Sequence, residues 1–183
     1  ESHTRVVEMS TQQVEQRETL AIQYTIELRR MLNEVPVQEG VRQFLFQVWA
    51  DVLAMAAVRH GAQAEATKAM RKTATDLIWS AGAKVSREER ADVIRRLPPL
   101  LKQLRDGMES AGVAAAKRDE HIRSLNDSLA AAFSAKAAAI PPERFEELRE
   151  RLEALEELLP DASDVQLDQT LMLDISGDDS GDL

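Results

Sequence analysis

Apolar residues recur along most of the chain at intervals of three and four, which places them on one face of an α-helix. Residues 5–33 contain no Gly or Pro, and Val7, Val14, Ala21 and Leu28 repeat every seven positions beside Ile22, Tyr24, Ile26, Met31 and Leu32. A helix of that length is a rod of roughly 40 Å, closed here by Asn33 and Pro36. A second helix is predicted from about Gln38 to His60. It buries Val41, Phe44, Leu45, Val48, Val52 and Met55, leaves Trp49 at the edge of the stripe, and ends at Gly61 in a left-handed cap.

The third predicted helix, over 64–80, puts Ala66, Met70, Thr73 and Leu77 on one face with Ile78 and Trp79 beside it, and Gly82 stops it. The fourth begins at a capping box, Ser86 followed by Glu89, in which hydroxyl and carboxylate each satisfy an otherwise unpaired backbone donor. Its apolar run is Val93, Ile94, Leu97, Leu100, Leu101, Leu104 and Met108, and Pro98 and Pro99 interrupt it. Proline lacks a donor and clashes with the preceding turn, so a kink or two abutting helices is expected. Gly112 ends that helix, and a fifth, over 114–136, buries Ile122, Leu125, Leu129 and Phe133.

After Pro141 and Pro142 the spacing changes to that of a coiled-coil seam. Phe145, Leu148, Leu152, Leu155 and Leu159 step by alternate threes and fours, with Glu147 and Arg151 as a supporting pair. Two heptads are too few to dimerise alone, which leaves two readings: a helix folded back on the bundle, or a helix that dimerises or binds a partner. Residues 160–183 hold seven Asp and no Lys or Arg, a composition expected to stay disordered. Within them Val165, Leu167, Leu171, Leu173 and Ile175 alternate as in a strand with one apolar face, so a linker or the lead into a β-rich domain are both open. The expected architecture is an all-α bundle of five or six helices with a proline-kinked fourth helix. It divides into a bundle over 5–140, a heptad-like helix over 141–159 and an acidic tail over 160–183.

Composition agrees with helix: 26 Ala, seven aromatic residues, seven Gly and no Cys in 183 residues. Without cysteine there is no disulfide scaffold, thiolate metal site or cysteine nucleophile. No apolar run nears the roughly 20 residues expected of a membrane span. The chain starts at Glu1 rather than Met, and the expectation is a piece of a longer, soluble, cytoplasmic protein.

Charge is segregated. Residues 1–140 carry 20 Lys and Arg against 18 Asp and Glu, whereas residues 141–183 carry 3 against 14. Residues 68–105 concentrate ten basic side chains against four acidic ones, so the overall charge of -9 conceals a basic stretch and an acidic appendage.

Enzyme signatures are missing. His3, His60 and His121 stand apart without a carboxylate at ligand spacing, so no metal site is expected. The glycines are dispersed, which removes a phosphate cradle, and no catalytic residue or cofactor is predicted. Neighbouring carboxylates such as Glu88 and Glu89 diverge by about 100 degrees on a helix and cannot share a substrate. Only the basic stretch has chemical potential, towards an acidic protein segment, the chain's own tail, or a nucleic acid or nucleotide. With Trp79 its one aromatic platform, nucleic acid is the less favoured of these.

From Pro36 to Gly107 the chain reads Val41, Arg42, Phe44, Leu45, Val48, Trp49, Val52, Leu53 and Ala56, then Asp76, Leu77, Ile78, Trp79 and Ser80, then Arg95, Leu97, Pro98, Leu100, Leu101, Leu104, Arg105 and Gly107. This stretch resembles a proteobacterial domain-of-unknown-function family of large proteins, sometimes labelled thymidine phosphorylase. The resemblance implies a long cytosolic protein with extended helical regions and a small β-rich domain following this segment. It implies no reaction, and the phosphorylase label finds neither alternating strands and helices nor a phosphate-binding turn here. Of the matched residues, Trp49 and Trp79 are expected to fill the core. Asp76 is expected to accept their indole donors or to pair with an arginine such as Arg105.

The functional expectation is a non-enzymatic regulatory or scaffolding module acting on a protein partner or on other domains of the same chain, with a homodimer through the seam as one form of it. The alternative is an anion-binding regulator using residues 68–105. Candidate binding residues are Arg71, Lys72, Trp79, Arg95, Arg96 and Arg105 of the basic stretch, and Phe145, Leu148, Leu152, Leu155 and Leu159 of the seam.

Overall fold

The computed structural model describes residues 9–84, 86–134 and 139–158. Residues 5–8, Leu159, the acidic tail and its alternating segment lie outside them. Among the described residues the chain is all-α, with one backbone bridge pairing Val37 with Gly82 and no strand. The helices are α1 (Thr11–Leu32), α2 (Glu39–His60), α3 (Glu65–Ala81), α4 (Arg87–Ser110), α5 (Ala115–Ser134), α6 (Pro142–Glu153) and the single turn α7 (Leu155–Leu158).

Helix α1 starts later than its apolar repeat suggests because Ser10 caps it. The Ser10 hydroxyl accepts from the Gln13 amide at 3.1 Å and the Gln13 side chain accepts from the Ser10 amide at 3.2 Å. The repeat is also only half used. Val14 is 43% exposed, whereas Tyr24, Leu28, Met31 and Leu32 are fully buried. The outer half of α1 is anchored instead by Arg17, which donates to both carboxylate oxygens of Asp51 on α2 (2.8 and 2.6 Å) and to the carbonyl of Ala111 at the end of α4 (2.8 Å).

Helix α2 is the central element. By length and composition alone it could cross a membrane, contrary to the first impression of its sequence, but here it is the packed core of the bundle. Leu45–Trp49 form a π-helical turn inside it. The wider turn shifts the helix register, and Trp49, expected at the stripe's edge, is fully buried. Its indole nitrogen donates to the Met70 carbonyl at 2.9 Å. Trp49 also explains Gly107 on α4. A Cβ there would press into Trp49 Cη2, lie 2.9 Å from its Cζ3 and 3.2 Å from Met70 Sδ. Gly61 takes a positive φ of 101° as expected, although its ψ of 148° is extended rather than left-handed helical.

Helix α4 opens on the expected capping box of Ser86 and Glu89 and continues through Pro98 and Pro99, so it does not split into two helices. The carbonyls deprived of a helical donor belong to Ile94 and Arg95. Both residues are exposed, where water satisfies a lone carbonyl cheaply.

Helices α6 and α7 close the core. Leu148, Leu152 and Leu155 are 2%, 1% and 0% exposed and join Tyr24, Leu28, Leu77 and Ile78 in one apolar cluster. The seam therefore folds back on the bundle. Two long-range ion pairs fix it there: Arg151 to Glu27 of α1 at 3.0 Å, and Glu156 to Arg71 of α3 at 2.6 Å.

Candidate functional site

Stepping three or four residues at a time along α3 passes Lys68, Arg71, Lys72, Thr75, Asp76 and Trp79, a single stripe on that helix. Helix α6 faces this stripe with Phe145, Arg149 and Glu153, and α4 contributes Arg96. Together they line a cleft of about 630 Å³. A smaller extension of about 370 Å³ continues along α4 over Pro99, Leu100 and Gln103.

Trp79 is the centre of this cleft. It is half-buried, and two cations lie against its ring: the Arg96 guanidinium 4.6 Å from the centroid and the Lys84 ammonium at 4.4 Å. Lys84 is buried and also donates to the Trp79 carbonyl. Burial pushes its pKa below the usual lysine value, and the nearby charge of Glu89 opposes that in part. Arg96 is exposed and forms no ion pair among the described residues. A guanidinium stacked on indole keeps the donors on its edge, so the ring holds Arg96 ready for a bidentate acceptor.

The remaining cations are mostly committed. Lys72 bonds Asp76 at 3.0 Å, Arg95 bonds Asp92 at 2.7 Å, Lys102 bonds Asp106 at 2.8 Å and Arg105 approaches Asp119 at 3.9 Å. The expected pairing of Asp76 with Arg105, or with an indole, is thus replaced by an exposed pair one helical turn away on α3. Arg149 is held by Glu146 and Glu153. These exposed pairs are individually weak and exchange readily with a competing anion.

Arg71 is a different case, because it is 3% exposed and spent inside the protein. Its Nη1 donates to Glu156 at 2.6 Å and to the Ala62 carbonyl at 2.9 Å, and the Tyr24 hydroxyl donates to the same Glu156 oxygen at 2.8 Å. As candidate binding residues, then, Arg71, Leu148, Leu152 and Leu155 are corrected: each is buried in the chain's own core. Leu159 lies outside the described residues. Phe145 is half-buried and lines the cleft. Lys72, Trp79 and Arg96 come together, while Arg95 and Arg105 do not line the cleft. Lys68 and Arg149 were missed as cleft residues; the stripe from Lys68 to Trp79 was legible at helical spacing, whereas Arg149 required knowing where α6 docks.

Among the described residues no three His, Asp or Glu side chains assemble as a metal site, and both cleft carboxylates, Asp76 and Glu153, are neutralised by a basic neighbour. The cleft sets basic side chains beside the apolar surface of Trp79 and Phe145.

These features define an all-α bundle domain with one basic, tryptophan-centred cleft. The chain belongs to the family of proteins of unknown function DUF1631, the model of whose third domain matches residues 10–126. No curated protein and no solved structure matches the chain. The match contains Trp49, Trp79 and Gly107 and stops within α5. Helices α6 and α7 are therefore an addition beyond the matched region that completes its core and forms one wall of the cleft.

Proposed function

We propose that this domain is a non-enzymatic docking module of a larger cytoplasmic protein, and that its α3–α4–α6 cleft receives an acidic segment of a protein partner or of a neighbouring domain. The observation that carries the reading is Arg96, stacked on Trp79 and in no ion pair among the described residues. The cleft walls supply apolar surface from Trp79 and Phe145, and Lys68, Lys72 and Arg149 ring it with exchangeable charge. The designation of the matched family region as a third domain supports a place within a multidomain chain. The anion-binding alternative through nucleic acid gains less support. Five of the basic side chains of residues 68–105 pair with surface carboxylates, Arg71 is internal, and Trp79 is the one aromatic side chain of this stretch.

The test is titration of the full chain with a synthetic peptide of alternating Asp and Leu, followed by the indole N–H resonance of Trp79. The expected result is a saturable, salt-sensitive shift that Arg96→Gln weakens at least tenfold and an Asn-for-Asp peptide does not produce. Equal responses to the Asp and Asn peptides overturn the reading.

A further inference from the structure

We propose that the cleft is regulated in cis: residues 160–183 of the same chain occupy it and compete with any acidic partner. This rests on the docking reading above and names what holds the cleft in the unpartnered protein.

Three observations support it. First, the described chain ends beside the cleft. Glu156 is bonded to Arg71, a cleft-lining residue, and α7 finishes two residues later at Leu158. From Arg71 to Trp79 is eight residues of α3, about 12 Å at helical rise, and the six residues 159–164 span up to about 20 Å when extended. The 25 residues that follow Leu158 span up to about 80 Å when extended, so the later aspartates have ample length to reach Trp79 and Arg96.

Second, the charges are complementary. Residues 160–183 carry seven Asp and no Lys or Arg, while the cleft offers Arg96 without a carboxylate partner among the described residues, and Lys68, Lys72 and Arg149 in exposed pairs that a new carboxylate can enter. Third, the apolar content matches. Val165, Leu167, Leu171, Leu173 and Ile175 sit at alternate positions with Asp164, Asp168 and Asp174 between, so an extended segment offers one apolar edge for Trp79 and Phe145 and one acidic edge for the basic rim. Affinity need not be high. A short tether gives an effective concentration in the millimolar range, so an intrinsic dissociation constant of that order already fills the cleft about half the time.

The experiment compares the native full chain with a full-length variant in which all seven tail aspartates are Asn. The Trp79 indole resonance, assigned with Trp79→Phe, and the affinity for the Asp–Leu peptide are both read. Occupation in cis predicts that the native Trp79 signal moves with added salt and reaches the position of the variant, and that the variant binds the peptide about twofold more tightly. If the peptide binds native chain and variant equally and Trp79 is the same in both, the docking reading stands and occupation in cis is overturned. If Trp79 responds to the tail charges but the separate peptide binds neither chain, the cis contact holds and docking of a separate partner falls. A Trp79 shift that depends on protein concentration places the tail on a second copy and also overturns the cis arrangement.

Discussion

Arg71 and Glu156 meet at 2.6 Å across 85 residues of sequence, with their side chains 3% and 13% exposed. The pair is not fully satisfied: Arg71 Nε and Glu156 Oε1 are buried without a hydrogen-bond partner. A buried ion pair of this kind contributes little net stability relative to apolar residues, yet leaving one member alone is expensive. Arg71→Met should therefore destabilise the chain by about 3–5 kcal/mol, and Arg71→Met combined with Glu156→Leu should recover most of it. Urea unfolding of the two single variants and the double variant measures the coupling; additive losses would remove the pair from the account of how α7 is held.

Tyr24 gives a signature at alkaline pH. Burial first, then the charge of Glu156 and the hydrogen bond to it, raises the Tyr24 pKa well above its ordinary value of 10.0. The folded protein keeps this proton where the unfolded chain loses it. The contribution is thus complete below pH 10 and drains away as pH rises above that value. Lys84, whose folded pKa is lowered, works in the opposite direction up to about 10.5. Stability of the native chain minus that of Tyr24→Phe, followed from pH 8 to 12, isolates the tyrosine, and the difference should shrink above pH 10.

Gly107→Ala tests the contact beneath Trp49. Alanine is favoured over glycine in a helix by about 1 kcal/mol, but its Cβ would lie 2.9 Å from Trp49 Cζ3, and that ring is fully buried with its nitrogen tied to Met70. Overpacking of this sort costs about 1–3 kcal/mol, so a net loss is expected. Chemical denaturation decides it, and a more stable variant would show that the ring can move aside.

The Leu148–Leu155 seam predicts a folding phenotype instead of an assembly phenotype. Leu152→Ala should cost about 2–5 kcal/mol, because the side chain is 1% exposed in the bundle core. Light scattering should give the same mass for native and variant proteins. A native dimer that the substitution converts to monomer would mean the seam is shared between copies.

Helix positions were legible in the sequence because punctuation and periodicity agree. Ser86 with Glu89, Gly112, and Pro142 at the first position of α6 each mark the boundary that the structure shows. Ser10 with Gln13 is the same kind of signal, readable once glutamine is allowed in the capping box. Other features depend on what a single sequence cannot encode locally. The π turn rotates Trp49 inward, and Arg17 selects Asp51 from many available carboxylates through tertiary proximity alone. For the cleft, the basic stripe of α3 was visible. What sequence spacing could not show was that α6 would dock beside it, bringing Arg149 and Phe145 while hiding three of the leucines.

The matched family region ends at residue 126, yet the apolar cluster runs on through Leu129 to Leu155. Similarity boundaries and folding boundaries therefore differ in this protein. A fragment expressed to the former would leave Tyr24, Leu28, Leu77 and Ile78 without the leucines that roof them, and would be sticky and poorly folded for reasons unrelated to its biology. Fragments intended for binding assays need to extend at least through Leu158.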